Sequence, residues 1–164
     1  MIGRLHTPCG ILYVSGNSDY ISEISWSNIE GAQDNKTISW MLEDLRAYFS
    51  GKVKTFSGGL AFVDGQPVWI REKSKCVAQS FLQKVLIEVS RIPYGQVITY
   101  GAIARKMKNA RLARAVGQTC KKNPLPIIVP CHRVIGKDSL VGYAGGLDKK
   151  RFLLDLESGH RITR

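Results

Sequence analysis

Long hydrophobic runs are missing from these 164 residues: no apolar stretch approaches the ~20 residues that a membrane-spanning helix needs. The opening Met1-Ile-Gly-Arg-Leu-His6 has neither the basic nor the apolar stretch of a secretory leader. A cytoplasmic protein with no membrane partner is therefore expected. No repeat at a solenoid period and no low-complexity segment is visible. The four cysteines, Cys9, Cys76, Cys120 and Cys131, never pair as C-x-x-C, which removes the strong zinc and redox spacings. His6 and Cys9 are spaced like ligands, but two ligands do not make a site. No metal and no cofactor is expected, and Cys9, Cys76 and Cys120 read as buried thiols.

Acidic residues are scarce in one half only. Residues 1–76 hold 8 lysines and arginines against 8 aspartates and glutamates, whereas residues 77–164 hold 16 against 5. The whole net charge of +11 therefore sits in the second half. Charge so localised points to a polyanionic partner, of which nucleic acid is the usual one. With 44% hydrophobic residues, a core can still be buried.

The pattern predicts an α/β (α+β) chain in two domains. Residues 1–75 form an N-terminal mixed α/β scaffold: strand-like runs at Ile11–Val14 and Tyr20–Trp26, then a helix capped by Thr37 and carrying Ile38, Met41, Leu42, Leu45 and Phe49. Strands near Leu60–Val63 and Val68–Ile70 flank the hairpin signal Asp64-Gly65. Arg71 to Lys75 is a charged linker. Residues 76–164 are mostly helical. Val77, Phe81, Val85, Leu86 and Val89 mark one helix face; Thr99 caps a short helix, and Asn109 caps another running from about Ala110 to Lys121. Two short helices joined by a tight polar turn predict a helix-turn-helix. On the second, Arg111, Arg114, Gln118 and Lys121 share one face, opposite Leu112, Ala115, Val116 and Thr119. A final helix, about Asp148 to Ser158, turns Phe152, Leu153 and Leu156 inward.

Between the last two helices stands Pro130-Cys-His-Arg133, after the proline-bracketed apolar run Pro124–Pro130 and before the glycine-rich loop Val141–Gly146. The run reads as a stiff extended segment that presents Cys131 as a nucleophile, with His132 beside it.

Four segments together resemble the O6-alkylguanine-DNA alkyltransferases: Arg91-Ile-Pro-Tyr-Gly-Gln-Val-Ile-Thr-Tyr-Gly-Ala-Ile-Ala104, Ala113-Arg-Ala-Val-Gly117, Asn123-Pro-Leu-Pro-Ile-Ile-Val-Pro-Cys-His-Arg-Val134 and Gly142-Tyr-Ala-Gly-Gly-Leu147. That resemblance implies DNA repair by one-time transfer of an alkyl group from O6 of guanine in double-stranded DNA to Cys131, with O4-alkylthymine an open second substrate. It implies His132 as base acting through a water, Glu157 behind it, Tyr100 as proton donor to the purine, and Asn123 holding the backbone near the site. Arg114 fills the gap left by a flipped nucleotide. Arg111, Ala115, Gln118, Lys121, Thr99 and Arg133 are placed on DNA, and Val134, Tyr143, Ala144, Gly145 and Pro126 around the base. The protein is expected to act as a monomer. A simple DNA-binding regulator would leave Cys131, His132 and Glu157 without a task, and an acyl hydrolase would leave the basic half without one.

Overall fold

The computed structural model describes residues 1–31, 36–72 and 77–159. The chain divides into two compact units, Met1–Cys76 and Val77–Arg164. Most of the expected linker (residues 73–75) and Cys76 lie outside the described residues. Among the described residues no helix is long and apolar enough to cross a membrane.

The first unit is a five-stranded antiparallel sheet backed by one helix. Strands β1 (Ile2–Thr7), β2 (Gly10–Gly16), β3 (Tyr20–Ser25), β4 (Gly59–Val63) and β5 (Gln66–Ile70) lie in the order β1-β2-β3-β5-β4. Period-two alternation sends Leu5, Leu12, Val14 and Ile21 inward while Arg4 and His6 stay outside. Asp64 (φ 48°) and Gly65 (φ 78°) both take positive φ, which closes the two-residue β4–β5 hairpin in the hand that matches strand twist. Helix α1 (Ser39–Phe49) buries Met41, Leu42, Leu45 and Tyr48.

Three expectations for this unit are corrected. Strand β1 was not foreseen, because glycine, arginine and histidine dilute its apolar pattern; it is held by six-residue pairing with β2. Thr37 is not the cap of α1. A 3-10 turn, Lys36–Ile38, precedes the helix and puts the buried Ile38 at the cap position, because that side chain is needed in the core. A Cβ at Gly3 would come within 2.9 Å of Ile38 Cδ1 and 3.2 Å of Leu42 Cδ1, so the bare strand leaves room for those two side chains. Cys9 is half-buried rather than buried, with its sulfur 3.6 Å from Thr7 Oγ1.

The second unit is built of short helices and one pair of two-residue strands. Helix α2 (Phe81–Ser90) starts with a capping box: Ser80 Oγ accepts from Gln83 N at 3.2 Å, and Gln83 Oε1 accepts from Ser80 N at 3.1 Å. Val77, expected on that helix, precedes it and is 77% exposed. Strand β6 (Ile98–Thr99) runs straight into α3 (Tyr100–Lys106), and Thr99 Oγ1 caps that helix by accepting from Ala102 N at 3.1 Å. The turn out of α3 carries Lys108 in the left-handed region (φ 61°), with Asn109 N bonded back to Ala104 O at 3.1 Å. Asn109 then caps a 3-10 turn, Ala110–Leu112, that leads into α4 (Ala113–Lys121). This is the helix-turn-helix. The last helix, α5, spans Leu147–Ser158.

The proline-bracketed run is not extended. Pro124, Pro126 and Pro130 lack the N–H groups a strand ladder requires, and the chain folds into a hook. Val129 N donates to Leu125 O at 2.8 Å, and Ile127 sits at φ 77°. A β-branched residue in that region is strained. Burial of Leu125, Ile127, Ile128 and Val129 holds it there.

Candidate active site

Cys131 opens a single 3-10 turn, Cys131–Arg133, at the end of the hook. Asn123 ties the hook at both ends: its Nδ2 donates to Val129 O at 2.8 Å and its Oδ1 accepts from Leu125 N at 3.0 Å. The chain leaves the turn as strand β7 (Val134–Ile135), which pairs in parallel with β6, Ile98 against Val134 and Thr99 against Ile135. That two-residue ladder brings the first residue of α3, Tyr100, to the side of the cysteine turn. Sequence distance hides this pairing; the parallel register creates it.

One face of α5 carries the rest. Lys150, Leu153 and Glu157 are its buried residues, spaced i, i+3 and i+7. The expected inward stripe of Phe152, Leu153 and Leu156 is therefore corrected: Leu153 is buried, while Phe152 and Leu156 are half-buried. Two charged side chains take the interior because each meets a full set of partners. The Glu157 carboxylate accepts from His132 Nε2 at 2.7 Å, Arg133 Nε and Nη2 at 2.8 Å each, and Gly95 N at 3.1 Å. Arg133 Nη1 also donates to Ile92 O at 2.6 Å. Arg133 is thus buried and fully engaged with Glu157, not on the DNA-facing surface where it was expected. Its fork fits a carboxylate too well to be left in solvent.

These contacts set the protonation states. Burial alone would raise the Glu157 pKa, but the bonds from His132 and Arg133 outweigh it and hold the carboxyl well below the usual range. Burial pushes the His132 pKa down, with the Glu157 bond resisting and the charges of Arg133 and Lys150 adding to the fall. A neutral imidazole facing an ionised carboxylate keeps its proton on Nε2, so the lone pair lies on Nδ1. That nitrogen is buried and makes no hydrogen bond to the described residues. Burial raises the Cys131 pKa against the pull of Asn123 and the Lys150 charge, so the resting group is a thiol. A base must therefore take its proton when it reacts.

Cys131 is only 3% exposed, yet it lines a cavity of ≈ 630 Å³. Its lining includes Tyr100, Val141, Gly142 and Tyr143 together with Ala113, Arg114, Gly117, Gln118 and Lys121 of α4. Arg111, Arg114, Gln118 and Lys121 are all exposed and Ala115 is half-buried. Cys131 and the cationic helix face thus share one opening. Tyr143 meets His132 edge-on, with ring centroids 6.4 Å apart. Tyr100 donates its hydroxyl to Val141 O at 2.9 Å, and burial, with the two nearby cysteines, pushes its pKa up to about 12.

Other expected pocket residues stand elsewhere. Pro126 is buried in the hook, Val134 is buried in β7, Ala144 is exposed and Gly145 is half-buried; none of the four lines the cavity. Thr99, expected at the DNA, caps α3 with its Oγ1 as acceptor. Two residues were not foreseen. Cys120, a buried thiol on α4, lines the same cavity as Cys131. Lys150 is fully buried and donates to Val134 O at 2.7 Å and to Val141 O and Gly142 O at 3.1 Å each. Its spacing to Leu153 and Glu157 was the only signal for it in the sequence.

Comparison with known proteins agrees with this arrangement. The family model for the 6-O-methylguanine DNA methyltransferase DNA-binding domain matches residues 80–159. A methylated-DNA–protein-cysteine methyltransferase of Methanocaldococcus vulcanius is 51% identical over 78 residues, 48% of this chain and 47% of that one, so the chain spans about half the length of that relative. The constitutive methylated-DNA–protein-cysteine methyltransferase of Bacillus subtilis is 37% identical over 164 residues, covering 92% of this chain and 91% of that one. Among solved structures, Mycobacterium tuberculosis OGT in complex with DNA superposes with a TM-score of 0.78 at 30% identity, over 97% of this chain and 93% of that one. A match of this extent, over the segments that build the cysteine turn and the cationic helix, places the chain in the methylated-DNA–protein-cysteine methyltransferase family.

Proposed function

We propose that this protein repairs double-stranded DNA by moving an alkyl group from O6 of guanine to Cys131, once per molecule. The reading rests above all on the shared cavity: the buried Cys131, next to a neutral histidine, opens onto the same space as Arg114, Gln118 and Lys121. A paired base cannot reach a sulfur 3% exposed, so the nucleotide rotates out of the duplex at a cost of a few kcal/mol. Arg114, at the cavity edge, fills the space it leaves and bonds the widowed base. Arg111, Gln118 and Lys121 lie along the phosphates, and the small Ala115 lets α4 approach the groove closely.

His132 Nδ1 takes the thiol proton through a bridging water, and Glu157 stabilises the imidazolium that forms. The sulfur attacks the alkyl carbon, the carbon–O6 bond breaks, and its electron pair passes to the purine. Tyr100 donates a hydrogen bond to purine N3 as that charge develops, and the proton held on His132 passes through water to the purine, so that His132 returns to neutral and Tyr100 keeps its hydroxyl. The products are guanine in DNA and a thioether on Cys131, which has no route back to a thiol. Both reactants are supplied by protein and DNA, so no cofactor is called for. The protein works as a cytoplasmic monomer, and O4-alkylthymine is a second substrate to be assayed beside O6-methylguanine.

Intact-mass spectrometry tests this directly. Incubation with a duplex containing O6-methylguanine should add one methyl, mapped to Cys131, and then stop. The Cys131→Ser protein should bind the same duplex and gain nothing. Continued turnover by the wild type, or transfer without the thiol, refutes the assignment.

A further inference from the structure

Tyr100 has two tasks that conflict. In the free protein its hydroxyl donates to Val141 O at 2.9 Å, and in the proposed transfer the same hydroxyl must donate to the purine. That exchange takes one donor away from Val141 O. Val141 O is not left bare, however, because Lys150 Nζ also donates to it at 3.1 Å. A carbonyl oxygen has two lone pairs, and here each has its own donor. The lysine is better anchored than the tyrosine. Its other two N–H groups bond Gly142 O at 3.1 Å and Val134 O at 2.7 Å, so all three of its donors are used. Val134 belongs to β7, directly after the cysteine turn; Val141 and Gly142 belong to the cavity wall. One ammonium thus ties the Val141–Gly142 wall of the pocket to β7, and it lies 5.8 Å from the Tyr100 ring centroid.

We propose that Lys150 is a positioning residue that holds the Val141–Gly142 wall in place while the Tyr100 hydroxyl leaves Val141 for the flipped base. The role rests on the alkyl transfer proposed above, but the latch can be read without it. Among the described residues Lys150 makes no ion pair; a buried cation so placed is costly, and a hydrophobic side chain would fill the same place more cheaply. Retaining the charge makes sense where three carbonyls must be gathered and one of them must tolerate the loss of a second donor.

Hydrogen exchange in the free protein reads the latch. The amides of Val141, bonded to Ser139 O at 3.1 Å, and Gly146, bonded to Tyr143 O at 3.0 Å, report on the loop. Tyr100→Phe should leave their protection unchanged, because the lysine still holds Val141 O. Lys150→Met should lose it. In single-turnover transfer from a duplex with O6-methylguanine, Lys150→Met should lower the saturating rate about 100-fold, as expected for a displaced pocket wall, and leave the half-saturating duplex concentration where it was. Loop exposure in Tyr100→Phe overturns the proposal. So does wild-type transfer by Lys150→Met, or a defect confined to the duplex concentration required. If Lys150→Met fails to fold, the Tyr100→Phe exchange decides alone. A wild type that gains no methyl refutes the functional reading and leaves the exchange result standing.

Discussion

The two units bury different things. Among the described residues, every buried polar or charged side chain belongs to the second unit: Gln83, Thr119, Asn123, His132, Arg133, Lys150 and Glu157. The first unit fills its core with Leu12, Val14, Ile21, Met41, Leu45 and Tyr48. The first half is also electrically balanced, while the second carries the net +11. An apolar core is the cheaper way to hold a fold together. The second unit takes charge into its interior, where the proposed transfer would use a neutral histidine, a fixed carboxylate and a cation at set places. Stability is built one way in the first unit, and reactivity is arranged the other way in the second.

Removing one partner of the buried network should give the largest effect. Glu157→Gln leaves Arg133 a buried cation without its counter-charge, which costs about 3–5 kcal/mol of stability. It also strips His132 of its orienting anion, so transfer should fall about 100-fold or more. Urea unfolding and single-turnover mass spectrometry check the two parts. A matching probe in the first unit should separate them. Leu12→Ala opens a cavity at a fully buried site and should cost about 2–5 kcal/mol, with transfer per folded molecule unchanged. An equal drop in specific activity would erase the distinction between the units.

A surface change in the basic half should act on access alone. Arg114→Ala should slow transfer from duplex DNA roughly tenfold to hundredfold and transfer from the free base far less, because only the duplex needs the flipped state filled. Equal slowing of both would remove the flipping role. The smallest effect is one of pH. The folded His132 pKa lies below the unfolded one, so the unfolded chain binds that proton first. Stability should decline as pH falls below about 6.5, and a His132→Gln protein should show a flatter profile there. The folded Glu157 pKa is depressed, so its contribution is lost only as pH falls below about 4.3. The difference between wild type and variant in a urea titration from pH 7 to 5 isolates the histidine.

Much of the site was legible because local chemistry announces it. A capped short helix at Thr99, a basic helix face and a Cys-His pair between prolines each carry their own signal. Partner choice was not legible. Arg133 looks like any surface arginine in the sequence, and only the approach of α5 to the cysteine turn makes it a buried clamp on Glu157. Lys150 sits among Asp148, Lys149 and Arg151, a run that reads as a solvated surface. The i, i+3, i+7 stripe was there, but charged residues are not sought in a core.

The sequence by itself determined most of the helices, the division of charge and the candidate cysteine, since propensity, capping and composition act over a few residues. Tertiary structure alone decided that the proline run folds into a hook, that Tyr100 stands beside Cys131 through a two-residue parallel ladder, and that two charges of α5 point inward. Burial of a charge depends on donors and acceptors dozens of residues away, and that balance exists only once the chain has closed around it.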